Sequence, residues 1–134
     1  MGSPAVILLD THVLVWAVAD PSRLSRTAIQ TIRDAQQSEG LAISAITFWE
    51  LAVLLARRRI ELYGTIENSL KLFTDQIAVR PITLEVAAAA CQFPPHYSRD
   101  PADRIIGATA QLENMPLVTK DQNLRDSGLL HTIW

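Results

Sequence analysis

Near its start the sequence carries an unbroken apolar run, Ala5-Val6-Ile7-Leu8-Leu9, which follows Pro4 and stops at Asp10. A strand with one face in water alternates apolar and polar residues. An unbroken run needs cover on both faces, as in the interior of a parallel sheet. Parallel neighbours cannot be joined by a tight hairpin, so each strand must be followed by a crossover, usually a helix. The rest of the chain supplies both kinds of segment. Residues 41–43, 77–79, 117–119 and 130–133 read as further strands. Between them fall helical patterns over 13–19, 25–37, 47–57, 65–75 and 86–91, one that starts at Asp100-Pro101, and a short one after Asp121. Thr83 and Asp100 stand where N-caps belong, with Pro101 in the first turn. This alternation predicts a three-layer α/β/α sandwich around a mainly parallel sheet of four or five strands. The 134 residues suit a single domain spanning 1–134.

Several function classes drop out on composition and motif. The formal charge is −2, so whole-chain basicity does not draw the protein to nucleic acid. Any such contact must come from local cations or from metal ions offsetting an acidic site. Arg57-Arg58-Arg59 is the one dense charge run, at a helix end where the dipole favours cations in any case. Five glycines form no dinucleotide or P-loop fingerprint, and there is no G-x-S-x-G elbow. One cysteine, Cys91, and three scattered histidines, His12, His96 and His131, cannot make a common zinc site. A lone cysteine fits a reducing cytosol. The longest apolar candidate for a membrane span, residues 41–56, is too short and contains Glu50. The N-terminus lacks the basic region of a signal peptide, and Val6 stands where a myristoylation motif wants Ser or Thr. A cytoplasmic protein is expected, with Met1-Gly2-Ser3 read as a cloning remnant.

Chemistry concentrates in the carboxylates. Asp10 follows the first strand and Asp121 the fourth. Ligands of open parallel sheets bind outside the carboxyl ends of the strands. Glu50 lies in the first turns of the helix after the second strand, and Asp103 in the first turn of the Asp100 helix. Each acid also has a plain structural explanation. Asp10 and Asp121 suit a cap or a turn, Thr47-x-x-Glu50 reads as a capping box, and Asp100 and Asp103 suit an N-cap and an acid favoured by the helix dipole. Together they make a different case. Two carboxylates about 5 Å apart repel by roughly 3 kcal/mol at an effective dielectric near 20. A divalent cation among four of them removes that cost. Oxygen ligands without Cys or His select Mg²⁺ or Mn²⁺.

Val6-Ile7-Leu8-Leu9-Asp10-Thr11, then Glu50, then Asp100-Pro101-Ala102-Asp103-Arg104, then Thr119-Lys120-Asp121 resembles the PIN-domain ribonucleases, most closely the VapC-type toxins of bacterial toxin–antitoxin pairs. Motif order and spacing agree over nearly the whole chain. The resemblance implies metal binding by Asp10, Glu50, Asp103 and Asp121, with Asp100 as an accessory acid or only a cap. It implies hydrolysis of an RNA phosphodiester to a 5′-phosphate product, a structured target such as tRNA, a homodimer, and an antitoxin whose segment blocks the acids. Arg99, Arg104 and Lys120 flank motif carboxylates and are candidates for RNA contact. Three positions depart from the family pattern: His12 where Asn is common, the small Ala102 where a bulky residue is common, and Gly107 inside a helix, at a cost of about 1 kcal/mol relative to alanine.

Two other readings compete. An acid at the end of the first strand also suits a haloacid-dehalogenase-like phosphatase, but that family wants a second Asp where this chain has His12. A PIN-like module could bind RNA or an antitoxin without cutting; the retained acids argue against it. The helix around Phe48, Trp49, Leu51, Val53, Leu54 and Leu55 is apolar on nearly every side. Its outer face is expected to meet a second subunit, a partner segment, or the neighbouring helix over 66–73.

Overall fold

A computed structural model describes residues 6–134. Met1-Gly2-Ser3, and Ala5 of the expected first strand, lie outside the described residues. The sheet comprises β1 (Ile7–Leu9), β2 (Leu41–Ser44), β3 (Ala78–Arg80), β4 (Leu117–Val118) and β5 (Thr132–Ile133). All pairings are parallel, in the order β3-β2-β1-β4-β5. The helices are α1 (Thr11–Ala19), α2 (Arg26–Gln36), α3 (Ile46–Ala56), α4 (Ile66–Phe73), α5 (Leu84–Gln92), α6 (Pro101–Leu112) and α7 (Gln122–Asp126). A 3-10 turn, Pro21–Arg23, follows α1. β1, β4 and β5 are shorter than their apolar runs suggest, β2 runs one residue further, to Ser44, and β3 is shifted one residue on; α1 begins two residues earlier than expected, directly after β1.

The unbroken apolar runs are explained by two cores. Ile7, Leu9, Leu41, Ile43 and Val118 face one way, into a cluster with Val13, Leu14, Ile32, Leu51 and Phe73 of α1 to α4. Leu8, Ala42 and Leu117 face the other, against Val86, Ala90, Ile106, Ala110 and Leu124 of α5 to α7. Successive strand residues thus alternate between two buried faces rather than between core and water. Helix starts follow local chemistry. The hydroxyls of Ser25, Thr65 and Thr83 accept from the backbone N–H three residues on, at 3.0, 3.0 and 3.1 Å. At the end of α2, Gly40 takes φ +94°, and its N–H donates to the Ala35 carbonyl at 2.7 Å, turning the chain into β2.

The helix α3 is covered more from within than its composition suggests. It packs on α4, α6 and α1; Leu51 and Leu55 are buried and Val53 and Leu54 half-buried. Trp49 alone of its large apolar residues stays mostly open, at 67% exposure. No helix among the described residues is long and apolar enough to cross a membrane.

Candidate active site

The strand order places a topological switch point between β1 and β4. The chain leaves β1 toward β2 on one side and later returns to pair β4 on the other. Crevices at the carboxyl ends of strands open at such points. Asp10 and Asp121 follow these two strands. The register Leu8↔Leu117 and Leu9↔Val118 brings Asp10 beside Thr119. A cavity of about 540 Å³ opens there, lined by Asp10, Glu50, Asp100, Asp103 and Asp121 together with His12, Val13, Trp16 and Lys120. All four expected carboxylates, and the accessory Asp100, therefore share one space.

Hydroxyl groups hold three of the four acids, and sequence reasoning gave these hydroxyls no role. Asp10 is buried; its Oδ1 accepts from the Thr11 N–H at 2.8 Å and its Oδ2 from the Thr119 hydroxyl at 2.7 Å. Thr11 Oγ1 donates to Glu50 Oε1 at 2.5 Å and lies 3.0 Å from Thr47 Oγ1. A hydroxyl has one proton, so with Thr11 committed to Glu50 it is Thr47 that donates to Thr11. The Ser98 hydroxyl donates to Asp103 Oδ2 at 3.0 Å. Thr11 and Thr119 sit within the motifs that carry the carboxylates. Their polar side chains next to buried acids were the available signal.

The expected capping box does not form. The α3 N-cap is Ala45, without a side-chain bond, and Thr47 is already inside the helix. Thr47 and Glu50 both turn to Thr11 instead. The plain explanations do hold for three other acids. Asp10 caps α1, Asp100 Oδ1 accepts from the N–H groups of Ala102 and Asp103 at 2.8 and 3.3 Å, and Asp121 Oδ1 accepts from those of Asn123 and Leu124 at 2.8 and 3.4 Å. Capping and lining the cavity are compatible, because each carboxylate has lone pairs to spare.

The cavity is electrostatically tense. Burial pushes the Asp103 carboxyl up to about 7, and the neighbouring charges of Asp10, Asp100 and Asp121 add to the push against the Ser98 hydrogen bond. Burial also raises Asp10, with Asp121 adding to it and Thr119, His12 and the Thr11 N–H opposing. Glu50 is raised by burial, then by Asp10 and Asp100, with the Thr11 hydroxyl opposing. Like charges and desolvation both disfavour ionisation. A hard divalent cation would reverse that balance, and the carboxylates offer it the oxygen donors such a cation takes. Among the described residues no three His, Cys, Asp or Glu side chains already close on one point. The acids line the walls of a shared space rather than a finished cage.

The basic candidates separate. Lys120 lines the cavity. Arg99 is exposed in the segment before α6, and Arg57-Arg58-Arg59 is exposed after α3, away from the cavity lining. Arg104 is a correction: its guanidinium is spent within the chain. Nε donates to Ser98 O at 2.6 Å, Nη1 to Ala90 O and Phe93 O at 3.0 and 2.8 Å, and Nη2 to Pro94 O at 3.2 Å. It caps the carboxyl end of α5, where carbonyls lack helical partners, and ties that end to α6. Arg104→Met should therefore cost about 3 kcal/mol in urea unfolding, and Arg104→Lys should recover little, since a single ammonium cannot span four acceptors. Weakened RNA binding with undiminished stability would restore the phosphate-contact reading.

Residues 7–128 match the PIN domain family. The chain is 42% identical over 119 residues to the ribonuclease VapC22 of Mycobacterium tuberculosis (strain ATCC 25618 / H37Rv), covering 89% of each. Its fold is similar to that of a chain in the VapBC2 complex of Rickettsia felis bound to a promoter DNA fragment, with a TM-score of 0.73, 16% identity and 95% and 96% of the two chains covered. It is likewise similar to a chain in a toxin–antitoxin complex from Klebsiella pneumoniae, with a TM-score of 0.67, 24% identity and 96% of each covered. With acids, hydroxyls and parallel sheet arranged as described, the chain belongs to the PIN-domain family and is of the VapC type.

Proposed function

We propose that this protein is a metal-dependent endoribonuclease acting as the toxin of a toxin–antitoxin pair in the cytoplasm. The observation that carries the reading is the gathering of Asp10, Glu50, Asp103 and Asp121 in one cavity at the β1–β4 switch point, with three of their carboxyls raised. The 42% identity to a ribonuclease supports it. Bound Mg²⁺ or Mn²⁺ would lower the pKa of a water and offset charge on the phosphoryl and leaving oxygens. Asp10 and Asp103 are the direct ligands in this reading, with Asp121 completing the set and Glu50 either a ligand or the group that orients the attacking water. Thr11, Ser98 and Thr119 fix the carboxylates before substrate arrives, so no reorganisation is left for the reaction itself. Cleavage of RNA with and without Mn²⁺, beside Asp10→Asn, tests the reading. RNA retained without cutting, in the presence of Mn²⁺, would favour a binding module.

Asp100 and Asp103 divide their work in this scheme. Asp100 Oδ1 is committed to two backbone N–H groups, whereas Asp103 carries the strongly raised carboxyl. Asp100→Ala should lose about 1 kcal/mol of stability and keep most of its cleavage. Asp103→Ala should lose cleavage. Equal loss of activity in two well-folded variants would refute the division.

The partner is an antitoxin segment. Beside the acids runs a groove of about 370 Å³ lined by Ile46, Trp49, Val53, Leu54, Pro101 and Ala102, with Glu50 and Asp100 at its border. An amphipathic segment laid there would bury the open face of Trp49, and a basic side chain from it would reach the carboxylates. The similar solved chains come from toxin–antitoxin complexes. A homodimer is part of the same reading: light scattering at micromolar concentration should give about twice 14.8 kDa, and a strict monomer would sink it.

A further inference from the structure

Next to the acidic cavity stands a cationic arrangement that the proposed chemistry does not use. Trp16, half-buried on α1, lines the cavity. The Arg23 guanidinium lies 5.0 Å from the centroid of its ring and the Lys120 ammonium 5.8 Å. The indole is itself held, edge-on against Trp134 at 6.1 Å and tilted against His12 at 6.0 Å. Arg23 comes from the 3-10 turn after α1, and Lys120 directly precedes Asp121. Neither cation forms an ion pair among the described residues, although five acids line the cavity. A ring face attracts a cation without consuming its N–H donors. It holds Lys120 at the cavity and Arg23 on the ring of a residue that lines it, and leaves the donors of both free for an anion.

The geometry points to a phosphate clamp: Arg23 and Lys120, seated on Trp16, bind backbone phosphates of an RNA strand flanking the one presented to the carboxylates. This rests on the ribonuclease reading of the cavity and gives it a substrate contact at the cavity edge in a chain of net charge −2. Arg23 supplies a planar fork suited to a phosphate, and Lys120 a point charge near the scissile position. The pair carries no base-specific contact, so it adds affinity for any RNA sequence and leaves the choice of target to other surfaces.

The test is fluorescence anisotropy with a labelled mixed-sequence RNA 20-mer in EDTA, where no cleavage occurs, over a range of salt concentrations. Losing one phosphate contact should lower the slope of log affinity against log salt by about 0.7 for a single strand, and the affinity roughly fivefold at 0.1 M salt. Arg23→Ala and Lys120→Ala should each show this, and Arg33→Ala, an exposed arginine on α2, should not. Trp16→Leu keeps both charges but removes their seat, and should weaken binding as well. If that variant melts early, the two exposed cations still decide. Parental slopes in both Arg23→Ala and Lys120→Ala, or no binding by the parent at low salt, would overturn the clamp. Failure of the ribonuclease reading looks different: Mn²⁺-dependent cleavage would be absent from the parent while the salt slopes still shifted.

Discussion

Asp103→Asn should lose RNA cleavage by on the order of 10²–10³-fold and yet melt at a higher temperature than its parent in metal-free buffer. Both effects come from one carboxyl. In the proposed role of ligand, its charge would hold a cation that would supply several kcal/mol of transition-state stabilisation. Without the cation the same charge is buried among Asp10, Asp100 and Asp121, which is why its carboxyl sits near 7 rather than 3.8. Asparagine keeps an oxygen for the Ser98 hydroxyl and removes the repulsion. The pH dependence has a definite direction. Between 3.8 and 7 the folded chain holds a proton on Asp103 that the unfolded chain has released. The associated stability is present in full below the unfolded value and is lost as pH rises through 7. The metal-free parent should melt lower at pH 8 than at pH 5.5, and Asp103→Asn should flatten part of that fall, with raised Asp10 and Glu50 supplying the rest. Millimolar Mn²⁺ should raise the parent's melting temperature most at high pH, where no proton competes, and the variant's much less. A variant that melts below its parent in EDTA at pH 8, or responds to Mn²⁺ equally well, would remove Asp103 from the ligand set.

The parts of this site that were legible in the sequence are those written in short-range patterns. A strand that ends on an acid announces an acid at the edge of a parallel sheet, and β1–Asp10 and β4–Asp121 follow that rule. Asp100-Pro101 announces a helix start, and α6 begins there. Pairings between segments distant in the chain were not legible. Nothing local says that Thr11 and Glu50, 39 residues apart, share a proton, or that Thr119 reaches Asp10 across 109 residues. Thr47-x-x-Glu50 misled because the spacing of a capping box does not reveal where the helix begins. Two residues earlier it would have stood at the N-cap; inside α3 its hydroxyl and carboxylate are free to meet Thr11. Arg104 misled in a similar way, since a cation beside a motif carboxylate looks available until the carbonyls around it are known. Arg23 was invisible as a site residue because its partner is an aromatic ring seven positions earlier, across a helix end and a turn.

Gly107→Ala reverses sign between sequence and structure, and so separates the two accounts by several kcal/mol. By helix propensity the substitution should stabilise α6 by about 1 kcal/mol. In the fold, a Cβ at position 107 would lie 1.9 Å from Tyr97 Oη, 2.8 Å from Tyr97 Cζ and 3.2 Å from Phe93 Cε2. Tyr97 cannot step aside. It is fully buried, its ring packs 4.6 Å from that of Phe93, and its hydroxyl donates at 3.0 Å to the carbonyl of Asp103, one helical turn before Gly107. That hydrogen bond requires the phenol to approach the helix backbone more closely than any side chain at 107 permits. The glycine is thus the opening through which Tyr97 grips the turn that carries Asp103. We expect Gly107→Ala to lose about 3 kcal/mol, on the order of 10 °C in melting temperature. In a Tyr97→Ala background the same change should cost much less, because the atoms it strikes are gone, and the two substitutions should couple strongly in a double-mutant cycle. A melting temperature for Gly107→Ala at or above that of the parent would show that helix propensity, not the close approach of Tyr97, governs this position.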